Sequence, residues 1–140
     1  MFSKSNLLAT LVGGVAMFFL GYLVWGMALS NFFAGRTLIP IDGNIPNLGM
    51  VALANLIIAF VMASLFSKWS RGQHSLSEGF KFGAWIGVFA GLGMGLLAYG
   101  TMPLMDLTGY LVAALVHILF YGVIGALIAL VYGKTGGGAQ

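Results

Sequence analysis

A chain of 140 residues with 60 % hydrophobic and only 6 % charged residues is no ordinary water-soluble domain, which carries about 25 % charged residues. The absence of cysteine removes disulfides, thiolate metal sites and a cysteine nucleophile together. The net charge of +3 rests on a few cations beside apolar runs, which suits anionic lipid headgroups rather than nucleic acid.

The nine charged residues are Lys4, Arg36, Asp42, Lys68, Arg71, Glu78, Lys81, Asp106 and Lys134. They leave residues 5–35, 43–67, 82–105 and 107–133 free of charge, stretches of 31, 25, 24 and 27 residues. A helix rises about 1.5 Å per residue and a bilayer core is about 30 Å thick, so roughly 20 apolar residues span it. The chain therefore reads as all-α and polytopic. One four-helix transmembrane domain is expected over residues 1–134, with spans at about 7–30, 47–67, 77–100 and 107–132 and a flexible tail at 135–140.

Span one runs from Leu7 to Leu29, too long for the 7–15-residue core of a signal peptide, and is read as retained. Pro40, Asp42-Gly43 and Pro46 make the first loop an irregular connection on the outer surface. Span two ends in a basic loop, where Lys68, Arg71 and Lys81 are candidate lipid-headgroup contacts. Ser75 and Glu78 have the spacing of a capping box, which starts span three at about Leu76. Asp106 can cap span four, and Gly133-Lys134 suits its end. Both termini and the second loop share a side that collects Lys4, Lys68, Arg71, Lys81 and Lys134. The positive-inside rule then predicts an N-in, C-in topology. A faint repeat at an offset of 74 residues aligns Gly21, Trp25, Gly26 and Gly35 with Gly95, Tyr99, Gly100 and Gly109. It would make spans one and three equivalent.

Span three carries Gly79, Gly83, Gly87, Gly91 and Gly95 at intervals of four, and span four answers with Gly109, Ala113, His117, Tyr121 and Gly125. In lipid, close backbone approach across small residues supplies the attraction between helices. The pattern predicts tight helix packing through Gly79, Gly83, Gly87, Gly91, Gly95, Gly109, Ala113 and Gly125. Four residues turn a helix by about 400°, so the ladder drifts about 40° per step. The expectation is two neighbours sharing the ladder, or one partner crossing at a marked angle.

No Asp, Glu, Lys or Arg is expected at mid-membrane, which argues against ion-coupled transport. Tyr22, Asn55 and His117 fall at similar depths, opposite the most glycine-rich part of span three, Gly91 to Gly95. Two readings stay open. The three residues line a small cavity, or they satisfy one another through interhelical hydrogen bonds worth about 0.6 kcal/mol on average. A bis-histidine haem needs a second histidine, and His74 lies in the inner loop, so no cofactor and no metal site is expected.

The run Gly21-Tyr22-Leu23-Val24-Trp25-Gly26-Met27-Ala28-Leu29, with Glu78-Gly79-Phe80-Lys81-Phe82-Gly83-Ala84, Tyr99-Gly100-Thr101 and Leu107-Thr108-Gly109, resembles a family of small four-helix bacterial membrane proteins of unknown function. The resemblance implies a multi-pass protein of the bacterial inner membrane and no assigned activity. The expected function is a non-catalytic structural or accessory subunit. Its partners would be membrane lipids and either further copies in a homo-oligomer or a larger membrane complex. The alternative is a channel or carrier for a small neutral or lipophilic solute. A polar cavity at the depth of Tyr22 favours the alternative, and a filled bundle favours the first.

Overall fold

The computed structural model describes residues 2–38 and 47–135. Helix α1 (Lys4–Ala28) is followed by a short helix α2 (Ser30–Ala34) and then by α3 (Leu48–Trp69), α4 (Leu76–Thr101) and α5 (Leu107–Thr135). All but α2 are long and apolar enough to cross a membrane. Their outward faces are as greasy as their inward ones: Phe19, Phe89, Leu115 and Leu119 each stay 61–68 % exposed. Such helices have no polar face to give to water, as in a multi-pass membrane protein. Pro40, Asp42, Gly43 and Pro46 of the first loop, and the tail from residue 136, lie outside the described residues.

Each long helix begins on a side-chain cap. Ser3, Asn47, Ser75 and Asp106 accept from the backbone N–H groups of Asn6, Met50, Glu78 and Gly109 at 3.1, 3.1, 3.1 and 2.8 Å. The box at Ser75 is half made, because Glu78 turns to Lys81 (3.2 Å) instead of closing it. Helix α5 is described as far as Thr135, with Lys134 in its last turn. Between α3 and α4 the chain reverses within four residues. Arg71 (φ 49°) and Gly72 (φ 90°) both take positive φ, and the Gln73 N–H donates to the Ser70 carbonyl at 2.8 Å.

Helix α5 is the centre of the bundle: α4 packs along one side of it and α1 on another, with α3 laid against α1. Helix α3 meets α4 and α5 chiefly near the end that carries Lys4, Lys68, Arg71, Lys81 and Lys134. There Phe66 lies 5.6 Å from Phe82 and 5.8 Å from Tyr132, centroid to centroid. The filled core belongs to this basic half, where Met62, Phe66, Ile124, Ile128 and Tyr132 are buried. It also holds a polar knot joining three helices. The Asn6 amide donates to Ser64 Oγ (3.0 Å), Thr135 Oγ1 to Ser5 Oγ (2.6 Å), and the Tyr132 hydroxyl to the Ala63 carbonyl (3.0 Å). The hairpins α1–α3 and α4–α5 are not packed as equivalents, since α1 meets α5 broadly while α3 barely meets α4.

One neighbour takes nearly the whole glycine ladder. A β-carbon on Gly79 would land on Gly125 and Ala129, on Gly83 upon the Tyr121 carbonyl, and on Gly87 upon the backbone of His117 and Ile118. One on Gly91 would come within 2.7 Å of His117 Cβ. Contact loosens at Gly95, whose nearest neighbour would be the Tyr110 ring at 3.6 Å. Of the two expected arrangements, sharing between two helices is not seen, and a single partner, α5, takes the seam. Gly79, Gly83 and Gly87 precede a π-helical segment at Val88–Gly93, where the Met94 N–H reaches back to the Phe89 carbonyl, and Gly91 lies within it. Bonds closing i→i+5 take more residues per turn, so the segment turns back part of the drift.

A candidate ligand-binding cleft

In the half away from the basic end the bundle is not filled. Helices α1, α3 and α5 enclose a cleft of about 590 Å³, and Tyr22, Asn55 and His117 all line it. Each helix contributes one face at helical spacing: Phe18, Gly21, Tyr22 and Trp25 from α1, Leu48, Val51 and Asn55 from α3, and His117, Phe120 and Tyr121 from α5. Helix α1 becomes π-helical over Tyr22–Ala28, with the Leu29 N–H bonded to the Val24 carbonyl at 2.9 Å, so the widened turns carry the α1 wall. Asn55 lies seven residues into α3 and His117 ten into α5, roughly 10 and 15 Å along their axes.

The three polar side chains do not bond one another. The His117 ring Nδ1 lies 2.7 Å from the Ala113 carbonyl of its own helix. A carbonyl only accepts, so Nδ1 carries the proton, and in that neutral tautomer Nε2 is an acceptor. The ring is held between Trp25 (4.9 Å) and Tyr121 (5.9 Å). Asn55 is half-buried and forms no side-chain hydrogen bond among the described residues, and its amide remains accessible. Tyr22 is 60 % exposed and, with exposed Leu48 and Val51, marks the open side between α1 and α3.

Helix α4 contributes nothing to the lining. The glycines Gly91 to Gly95 do not stand opposite the three polar residues. Gly91 packs behind His117, and this close backing fixes the α5 wall from the far side. Beyond Trp25 a second cavity of about 430 Å³ lies under the loops, lined by Trp25, Phe33, Thr37, Leu104 and Met105. Arg36 and Asp106 close the loops above it with an ion pair of 3.3 Å, and the Leu38 N–H donates to the Leu104 carbonyl at 2.8 Å. Trp25 is the wall common to both cavities.

The other expected residues fall as follows. Gly125 meets Gly79 and Gly83 in the α4–α5 seam, and Ala113 is buried and supplies the carbonyl that holds His117. Gly109 is not in the seam: a β-carbon there would meet Met105 and Asp106 at 3.2 Å, within its own first turn. Lys68 and Arg71 are exposed, whereas Lys81 is paired with Glu78. His74 packs its ring against Tyr132 (5.3 Å) and Phe66 (5.9 Å). The rings of Phe18, Trp25, Phe120 and Tyr121 were missed as site residues by sequence reasoning. The 18-22-25 spacing on α1 was the available signal. No family model, curated protein or solved structure matches this chain.

Proposed function

We propose that this chain is a non-catalytic, multi-pass membrane protein that binds a small uncharged lipophilic solute in the cleft between α1, α3 and α5, as a binding protein or carrier. One observation carries the reading: Tyr22, Asn55 and His117 share one cavity and none of their polar groups is used on another. Helices that only needed to pair their polar groups with one another would have joined them. Among the described residues the lining holds no charged side chain, and a cavity of this size falls in the range of about 300–1,000 Å³ common for ligand sites. The packed core of the basic half closes the far end, which favours a binding site over an open channel. The positive-inside rule sets the basic end at the cytoplasmic face, in keeping with the inner-membrane family that the motifs resemble.

The test is saturable binding of uncharged lipophilic solutes to the protein in nanodiscs, read by isothermal titration calorimetry, with Val51→Trp as the cleft-filling variant. Saturable binding that Val51→Trp abolishes supports the proposal. Absence of saturable binding, or binding indifferent to Val51→Trp, overturns it in favour of the structural or accessory role, in which the glycine seam is the working feature.

A further inference from the structure

The lining of the cleft narrows the kind of solute, on the footing of the binding role just proposed. Six of its twelve lining residues carry rings: Phe18, Tyr22, Trp25, His117, Phe120 and Tyr121. Aromatic walls favour a flat ring, which they can meet in offset-stacked or edge-to-face contact. The remaining chemistry is an acceptor at His117 Nε2 and, at Asn55, an amide that both donates and accepts. A partner for His117 must donate a hydrogen bond. A partner for the Asn55 amide can accept one, and a hydroxyl does both. Among the described residues no side chain of formal charge lines the cleft, so a carboxylate or ammonium would lose its hydration without a counter-charge there. From these features we infer that the cleft takes an uncharged aromatic alcohol of the membrane, a lipophilic phenol or hydroquinone. Its hydroxyl donates to His117 Nε2 and accepts from Asn55, its ring lies among the aromatic walls, and its apolar tail leaves between α1 and α3 past Tyr22 and Val51. Binding alone is inferred, with no chemical change in the solute.

The experiment uses the full chain in nanodiscs with Trp69 and Trp85 replaced by Phe, so that Trp25 is the only indole. Both replaced residues lie outside the cleft. Three probes of matched tail are titrated: an alkylated hydroquinone, its dimethyl ether, and an aliphatic alcohol of equal length. The expected result is saturable quenching by the hydroquinone, with at least tenfold weaker binding of both the ether and the alcohol. In His117→Phe, which keeps a ring and removes the acceptor, the hydroquinone should bind no better than its ether. Equal binding of all three probes overturns the solute class while leaving a lipophilic binding site in place. No binding of any probe overturns the binding role itself. The ether comparison is made on the unsubstituted site, so the result stands even if His117→Phe does not fold.

Discussion

Gly83 sits so close beneath the Tyr121 carbonyl that a β-carbon there would overlap that oxygen. Gly100, on the same helix, has open space where its β-carbon would be. The pair separates two effects that alanine has on a helix. It relieves the backbone entropy of glycine, worth up to about 1 kcal/mol. It also pushes on whatever lies above it, and backbone cannot yield as a flexible side chain can. Gly83→Ala is therefore expected to destabilise the α4–α5 seam by about 2 kcal/mol or more, and Gly100→Ala to leave stability unchanged or slightly raised. Thermal unfolding in detergent, followed by circular dichroism, distinguishes them. Equal midpoints for the two variants would mean that the seam is not close-packed.

The four long apolar helices were legible because a bilayer dictates length: charge-free stretches must be long enough to cross it. Depth was legible for the same reason, and counting residues brought Tyr22, Asn55 and His117 to one level. Rotation was not legible. These helices are apolar all round, so no polar face says which side of α5 looks toward α4 and which toward the cleft. The π-helical segments at Tyr22–Ala28 and Val88–Gly93 also leave no compositional mark. Yet one carries Tyr22 and Trp25 of the cleft wall, and the other holds Gly91, the last glycine packed closely on α5. The contact of Arg36 with Asp106 joins residues 70 apart in a chain with few polar landmarks between them.

Asp106 has two separable jobs. One oxygen caps α5 through the Gly109 N–H at 2.8 Å, and the other meets Arg36 Nη1 at 3.3 Å. The ion pair is part-exposed, at 35 % and 42 % for the two side chains, so screening leaves it worth well under about 1 kcal/mol. The cap is worth about 1 kcal/mol. Asp106→Asn, which keeps an accepting oxygen, should cost less than about 0.5 kcal/mol, and Asp106→Ala about 1–1.5 kcal/mol. The same unfolding assay orders the two. Equal losses in Asp106→Asn and Asp106→Ala would show that the charge, not the cap, matters.

The Asn6–Ser64 bond couples α1 to α3 in the buried knot at the basic end. Hydrogen bonds between helices in lipid are worth about 0.6 kcal/mol on average and up to about 1.7. Both groups are almost wholly buried here, at 1 % and 6 % exposure, so the upper part of that range applies. A double-mutant cycle with Asn6→Ala and Ser64→Ala should return a coupling of about 1 kcal/mol. Additive effects of the two single variants would show that the bond contributes nothing of its own.

Arg71 occupies the left-handed region at φ 49°, a conformation that costs an ordinary residue about 1–2 kcal/mol and glycine almost nothing. The turn demands it. Gly72 beside it stands at φ 90°, and the chain must reverse within four residues to bring α4 back along the bundle. Arg71→Gly removes the β-carbon that makes the conformation costly, and part of the gain is lost to the greater freedom of the unfolded chain. The expected net effect is a stabilisation of about 0.5–1 kcal/mol. Arg71→Ala removes the same charge and keeps the β-carbon, so it should bring no such gain. Gly72→Ala, placed at the still less tolerant φ of 90°, should destabilise. If Arg71→Ala stabilised as much as Arg71→Gly, crowding of cations at the basic end would be the cause rather than backbone strain. The ordering Gly above Arg at position 71, with Ala no better than Arg, identifies the turn geometry as the origin.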